Sequence, residues 1–127
     1  MASKKIILRF RAVNRDIFDA IRDGHKRVET RAATKRYADI KSGDGIVLVC
    51  GRNKLEKLVK RAVIFKTIPA LLHKYNVRDI YPHTKDFGVG VNPNTASEKE
   101  LREIYYSFPG YKEKIKKYGL IAIELAS

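Results

Sequence analysis

The alternation of apolar and polar residues predicts five β-strands in this chain. In the first of them Ile6, Leu8 and Phe10 fall on one face, as a half-buried strand requires. The predicted strands cover Lys5–Arg11, Lys26–Arg31, Ile46–Cys50, about Leu55–Lys66 and Gly119–Leu125. The last of these is apolar almost throughout, which is typical of a central strand buried on both faces.

Three helices are predicted between the strands. Asn14 is a candidate N-cap for the first helix, and Gly24 is placed to end it. Pro69 stands in the first turn of a short second helix that reaches Tyr75. Ser97 is the expected cap of the third, which carries Leu101, Ile104, Tyr105 and Phe108; Tyr105 is expected in the core.

Residues 76–95 are irregular, and a segment of this kind is uncommon in a small domain unless it is functional. Tyr81 and Phe87 in this segment are candidates for lid residues or core plugs, and for Phe87 a core plug is expected. Gly88 and Gly90 lack the strand-turn-helix context of a phosphate-binding loop.

The order of these elements is β-α-β-β-β-α-α-β. Strands two, three and four follow one another without a crossover helix, which argues against a doubly wound parallel sheet. The pattern therefore predicts an α+β domain, a small mixed five-stranded β-barrel with about three inserted helices. With 127 residues, the chain is expected to form a single domain.

The charge balance adds a partner to this picture. Lys and Arg number 27 against 14 Asp and Glu, a formal net charge of +13. An excess of this size favours a polyanionic partner, with RNA or a nucleotide first. A membrane is not expected, because the sequence has no long apolar run and no lipidation signal. A proteome that is basic throughout would explain the excess without any partner.

The sequence excludes several other classes of protein. Cys50 is the only cysteine, so no internal disulfide or cysteine zinc cluster forms, and a buried, inert thiol is expected. His25, His73 and His83 are too far apart for a metal-ligand motif, so neither a metal nor a cofactor is expected. No signal peptide is evident at the start of the chain, which predicts a cytoplasmic protein.

The candidate site is the stretch from Gly24 to Arg31, which sets one carboxylate among several bases. In a regular strand Arg27, Glu29 and Arg31 would share one face, with Lys26 on the other and its ammonium at the mouth of a site. Such a group offers forked donors to a phosphate and a carboxylate to a base edge. An exposed strand face with surface ion pairs is the alternative.

Further basic and aromatic residues extend this candidate site. They are Lys35, Arg36 and Tyr37 in the loop that follows, and Lys112, Lys116 and Lys117 in a basic run that leads into the last strand. Lysine and arginine side chains neutralise phosphates, and aromatic rings among them stack on unpaired bases.

Three motifs in this order resemble the ASCH domain family, a branch of the PUA-like superfamily. They are G-x-K-x-x-E-x-R at Gly24, Lys26, Glu29 and Arg31; I-K-x-G-D-x-I from Ile40 to Ile46; and K-K-Y-G-L-I-A-I-E from Lys116 to Glu124. The resemblance runs from about Lys5 to Leu125. It implies a pseudo-barrel with a cleft beside the first helix, lined by the Lys, Glu and Arg of the first motif, and a role in RNA or nucleotide binding.

Some members of that family resemble amidohydrolases of acetylcytidine nucleosides, and others ribonucleases. In the amidohydrolases the catalytic set implied by the resemblance is the motif's Lys, a Thr and a late Glu. Here Lys26 is kept, Glu29 stands in place of the Thr, and Asn94 or a neighbour stands in place of the Glu.

Two main hypotheses follow. The first is a nucleotide- or RNA-binding domain that uses Lys26, Glu29 and Arg31 in a cleft. The second is a hydrolase in which Glu29 activates water and Lys26 stabilises the oxyanion, for which a bulge or a loop ending at Arg27 must bring the two together. A protein-interaction domain of a coactivator type is a third possibility, suggested only by the family name.

Overall fold

The described part of the chain is a mixed α+β fold. A computed structural model describes residues 4–81 and 93–126. Its strands are β1 (Lys5–Phe10), β2 (Val28–Ala32), β3 (Gly45–Cys50), β4 (Asn53–Phe65) and β5 (Leu120–Leu125). Its α-helices are α1 (Arg15–Arg22), α2 (Ile68–Lys74), α3 (Val77–Ile80), α4 (Pro93–Tyr106) and α5 (Tyr111–Tyr118).

The five strands form one sheet in the order β1-β3-β4-β5-β2, which curls into a half-barrel. β1 pairs with β3 in parallel, and the other neighbouring strands pair antiparallel. β1 and β2 are therefore the two edges, and the open side of the half-barrel between them is called the seam below. The predicted small mixed five-stranded fold is confirmed, and β5 is central as its apolar run indicates.

Strand β4 belongs to both halves of the sheet. Its first half pairs with β3 and its second half with β5, and the register shifts between Val59 and Arg61. Leu55 and Val59 pack into one apolar cluster, and beyond the shift Ala62 packs into that same cluster. The bulge thus changes which parity of residues faces inward, and it bends the strand.

Two apolar clusters lie on opposite faces of β5. Ile121 and Ile123 belong to the cluster enclosed by the sheet and α1, together with Cys50, whose predicted burial is confirmed. Leu120 and Ala122 belong to a second cluster beneath α2, α4 and α5. An apolar residue at nearly every position of this strand is needed because both faces are covered.

The predicted start of α1 is confirmed, and other predicted helix boundaries are wrong. Asn14 is the N-cap residue of α1, although its side chain makes no capping hydrogen bond and a short 3-10 turn over Ala12–Asn14 precedes the helix. Helix α4 begins at Pro93, so Ser97 lies inside it rather than at its cap. The basic run after Pro109 is helix α5, whose one buried residue is Ile115. With α3, these elements bring the described helices to five instead of about three.

Some expectations lie outside the described residues. Phe87, Gly88, Gly90 and His83 belong to residues 82–92, and the side chain of Asn94 is also outside the described part of the chain. Tyr105 is fully buried, as expected of a core residue.

Asp44, in the second sequence motif, ties the turn before β3 to the start of β1. Its carboxylate is buried and accepts hydrogen bonds from the backbone N–H groups of Lys4 (3.1 Å) and Lys41 (3.0 Å). Burial alone would raise the pKa of Asp44, but these hydrogen bonds outweigh it and the pKa is lowered.

Replacing Asp44 with Asn is expected to lower the free energy of unfolding by about 1 to 2 kcal/mol at neutral pH, because hydrogen bonds to a charged acceptor are stronger. A lowered folded-state pKa stabilises the fold above the unfolded value of about 3.9, and this contribution is lost as pH falls through the folded pKa. Urea titrations of both proteins at neutral and acidic pH measure it. A stability difference that stays constant down to the lowest pH contradicts this role.

Gly119 occupies a position that no other residue can take without a shift in the backbone. Its φ is +79°, and an added Cβ would lie 2.4 Å from the carbonyl oxygen of Phe65. Because Gly119 has no side chain, the backbone between α5 and β5 can pass directly against the end of β4.

Gly119→Ala is expected to lower the free energy of unfolding by about 3 kcal/mol or more, because steric overlap with Phe65 adds to the strain of a backbone conformation (φ +79°, ψ −165°) that essentially only glycine adopts. Gly51→Ala is the matched control, since Gly51 also has a positive φ (+58°) but its Cβ would meet nothing within 4 Å. The control isolates the backbone strain of about 1 to 2 kcal/mol. Equal losses in thermal or denaturant unfolding would show that the contact with Phe65 is unimportant.

Candidate functional site

The turn after α1 decides where Lys26 points. Gly24 has a φ of +82°, and the backbone N–H groups of both His25 (2.9 Å) and Lys26 (3.0 Å) donate to the carbonyl oxygen of Ala20. The chain is therefore still turning at Lys26, and β2 begins only at Val28. The predicted strand alternation through Lys26 is wrong, and its failure brings Lys26 and Glu29 to the same place.

Lys26 is buried, with 2% of its surface exposed. Its Nζ donates to the carbonyl oxygens of Val28 (2.8 Å) and Ile80, lies 3.4 Å from Glu29 Oε1, and stands 4.7 Å from the centre of the Tyr81 ring. Burial lowers the pKa of Lys26, and the charge of Glu29 opposes this shift. The expected position of the ammonium at the mouth of the site is wrong.

Glu29 is the centre of the site. Its side chain is 4% exposed and is held on both oxygens: Oε1 accepts from the backbone N–H of Thr30 (2.9 Å), and Oε2 lies 3.5 Å from Arg31 Nη2. Two cations and one backbone donor thus compensate one buried carboxylate, which is the condition for keeping a charge away from water. The side chains of Lys26, Glu29 and Arg31 are 1%, 4% and 17% exposed. The alternative of an exposed strand face with surface ion pairs is therefore wrong for these three residues.

Arg31 bridges the seam. Its guanidinium, on β2, donates to the carbonyl oxygen of Arg9 on β1 (3.3 Å) and lies over the rings of Phe10 (5.1 Å) and Tyr37 (5.8 Å). Burial alone would lower the pKa of Arg31, but the charge of Glu29 and weaker contributions outweigh it and raise the pKa. Arg36 makes a second, longer bridge to the carbonyl oxygen of Ile7 (3.5 Å).

A cavity of about 180 Å³ opens beside this group, and we call it the seam cavity. Glu29, Thr30 and Arg31 form part of its lining, together with the exposed cations Arg9 and Arg11 from the end of β1. One acidic residue and three arginines therefore contribute to the lining of this cavity.

Aromatic rings supply most of the remaining wall of the seam cavity. They are Phe10, Tyr81, Phe108 and Tyr111. Burial raises the pKa of Tyr111 and also that of Tyr81, so both phenols are neutral and can donate a hydrogen bond at physiological pH. The cavity thus combines flat apolar walls with charged groups, as small-molecule sites commonly do.

Lys26 lines a neighbouring cavity instead of the seam cavity. This second cavity, of about 260 Å³, shares Asn14, Ile17, Tyr81 and Phe108 with the first. Lys26 also lines a third depression, of about 770 Å³, with Gly24 and Arg27. It therefore contacts Glu29 from outside the seam cavity, whose lining holds Arg31 and the exposed arginines.

The other sequence candidates are dispersed. Arg36 and Tyr37 adjoin Arg31 at the seam, and Lys35 is exposed on the same turn. Lys112 and Lys116 line a separate groove, and Lys117 lies over the ring of Tyr118 (5.2 Å).

Sequence reasoning did not select Arg9, Arg11, Phe108 or Thr30 as site residues. Arg9 and Arg11 precede Glu29 by about twenty residues, and they join it in one cavity lining because the curl of the sheet brings its two edges, β1 and β2, towards each other. The sequence signal that could have identified Arg9 and Arg11 is their alternation with the apolar residues of the first strand. Thr30 faces away from Arg31 and shares a buried hydrogen bond with the Tyr105 hydroxyl.

Within residues 4–81 and 93–126, no group of three or more His, Cys, Asp or Glu side chains could hold a metal ion. None of the described helices is both long enough and apolar enough to cross a bilayer.

Comparisons with known proteins identify the fold. No protein-family model matches the sequence, and no curated protein does either. The crystal structure of the hypothetical protein PH0355 is 22% identical with a TM-score of 0.69, and the match covers 98% of this chain and 97% of that one. The solution structure of protein PF0455 from Pyrococcus furiosus is 23% identical with a TM-score of 0.60, covering 95% and 94%. The chain therefore shares its whole fold with these two proteins.

Lys26→Met is expected to lower the free energy of unfolding by about 3 to 5 kcal/mol, because it removes one of the two cations that compensate the buried Glu29 and takes the Lys26 donor from two buried carbonyl oxygens. Adding Glu29→Gln to Lys26→Met should recover part of that loss, since a neutral amide then replaces the buried carboxylate. Denaturant unfolding of the single and double variants measures the coupling. Lys5→Met is the control, because Lys5 pairs with Glu56 on the surface and should cost no more than about 1 kcal/mol. Additive losses would contradict a buried pair.

Proposed function

We propose that this chain is a nucleotide- or RNA-binding domain of the ASCH type, within the PUA-like superfamily, and that the seam cavity holds one nucleotide. One observation carries the proposal: Glu29 and Arg31, whose charged groups are fixed by other contacts, line one cavity together with four aromatic residues and the exposed Arg9 and Arg11. The three sequence motifs and the net charge of +13 support the same assignment.

The size and lining of the cavity fit one base. A cavity of about 150 Å³ accommodates benzene, so about 180 Å³ suits one aromatic ring system. Phe10, Tyr81, Phe108 and Tyr111 provide ring surfaces on which a base can stack.

The polar groups divide into two roles. Within the described residues Glu29 Oε2 contacts Arg31, and it keeps a lone pair for an N–H or O–H of a base or ribose. Arg9 and Arg11 are exposed beside it and supply forked donors for a phosphate. Arginine at the rim supplies affinity, and the buried carboxylate supplies discrimination.

Hydrolysis stays a prediction from the sequence, and the contacts of Lys26 favour binding over it. All three donors of its ammonium point at protein oxygens, those of Val28, Ile80 and Glu29. An ammonium engaged in this way, and outside the lining of the seam cavity, has no donor left for an oxyanion. Lys26 is therefore assigned the role of positioning Glu29.

Arg11→Ala is expected to weaken the binding of a nucleoside monophosphate by about tenfold, because one charge-assisted phosphate contact is lost. Binding is measured by NMR titration with monophosphates of each RNA base. In the unaltered protein the backbone amides of Thr30 and Arg31 should shift on titration.

Arg52→Ala is the matched control, since Arg52 is an exposed arginine in the β3–β4 turn that does not line the seam cavity. The affinity of the Arg52→Ala variant for each nucleoside monophosphate should equal that of the unaltered protein. The proposal fails if no monophosphate shifts the seam amides, or if the two arginine variants weaken binding equally.

A further inference from the structure

A second basic depression lies on the other side of the α4–α5 turn. It has a volume of about 440 Å³ and lies between the end of β4, the start of α2, α4 and α5. Four cations line it: Lys66, Arg102, Lys112 and Lys116. We call it the α5 groove.

The charge of the α5 groove is largely uncompensated. Glu98 is the carboxylate in its lining, and Arg102 already donates to that carboxylate. Lys66, Lys112 and Lys116 are exposed, and in the described part of the chain none of them lies within ion-pair distance of an acidic group. Three lysines facing one depression without a counter-charge repel each other, and an anionic ligand relieves this repulsion.

An aromatic ring stands among these cations. Tyr106 lines the groove and is 41% exposed, and Lys112 Nζ lies 5.9 Å from the centre of its ring. An exposed tyrosine beside phosphate-binding lysines offers a stacking surface for an unpaired base. A simple anion site would not need this ring.

The groove and the seam cavity are two sides of one turn. Phe108 and Tyr111 line the seam cavity, whereas Tyr106 and Lys112 line the α5 groove. Tyr111 and Lys112 are consecutive residues in the first turn of α5. The two depressions are thus separated by little more than a helix, about 10 Å across with its side chains.

We propose that the α5 groove binds the phosphate backbone of a single-stranded nucleic acid that has one base in the seam cavity. This inference rests on the proposed function, and it specifies a strand of several nucleotides as the ligand. The ligand must be a strand, because a single mononucleotide occupies only the seam cavity and does not reach the α5 groove. It must be single, because a paired base is not free to enter an aromatic cavity.

The test compares one nucleoside monophosphate with a single-stranded RNA of about eight nucleotides, a usual length for such sites. The probes are uridine monophosphate and oligouridylate, and binding is measured over a range of salt concentrations. Replacing Lys66, Lys112 and Lys116 together with Ala should weaken oligouridylate binding by at least about tenfold. It should also reduce the slope of log affinity against log salt by about 0.7 for each lysine. The affinity for uridine monophosphate should be unchanged.

The matched control replaces three exposed lysines that line neither depression, Lys41, Lys54 and Lys74, with Ala. It removes the same charge, so it should keep the oligouridylate affinity within about threefold of the unaltered protein. Equal losses of oligouridylate affinity in the two triple variants overturn the proposal, because the lysines would then act only through the overall charge of the protein.

Two further outcomes separate this inference from the function on which it rests. If Arg11→Ala weakens monophosphate binding but the groove variant binds oligouridylate normally, the groove proposal fails and the cavity remains. If the unaltered protein binds the oligomer through the groove but binds no monophosphate, the assignment of the seam cavity as a nucleotide site fails. The proposal of a strand with one base in that cavity then fails as well. Tighter binding of duplex RNA than of oligouridylate also overturns the proposal.

Discussion

The buried carboxylate of Glu29 is the interaction on which the open side of the half-barrel depends. It fixes Lys26, which holds the end of α3 through Ile80, and it fixes Arg31, which reaches across the seam to Arg9. β1 and β2 are the two edges of the sheet and are not neighbours in it. A side-chain network around one acidic group therefore replaces the backbone ladder that would close a complete barrel.

Such a network has a cost that apolar residues would avoid. Removing three charged groups from water is unfavourable unless geometry and hydrogen bonds compensate for it, and a well-packed apolar cluster is often at least as stable. The half-barrel has apolar side chains on both faces of β5 but charged ones at the seam. Charges kept at this cost, beside an aromatic cavity, are consistent with the proposed role in ligand binding.

The sequence allowed the sheet to be predicted where a single local pattern decided the outcome. The apolar alternation of β1 and the unbroken apolar run of β5 both follow from how many faces each strand buries. Helix α5 was missed because Lys and Glu fill five of its eight positions around one buried residue, Ile115, so it shows no wide apolar stripe. A short helix of this kind is held mainly by its contacts with the rest of the fold.

The site was predictable in composition but not in geometry. Lys26, Glu29 and Arg31 lie close together in sequence, and their contact was expected only if regular alternation failed. It does fail, because the bonds to Ala20 delay the start of β2. The arginines of β1 could not be assigned to the same site, since only the strand order brings them there. Phe108 joins the cavity through the α4–α5 turn, which depends on packing between helices.

The position of strand β5 between the two apolar clusters has a consequence for how the protein unfolds. Its odd-numbered residues complete one apolar cluster and its even-numbered residues complete the other, while β4 pairs along both halves of the sheet. Neither cluster can be exposed to solvent while the other stays intact, because both need this strand in place. The fold should therefore melt as one cooperative unit, with no populated intermediate in which half of the sheet survives.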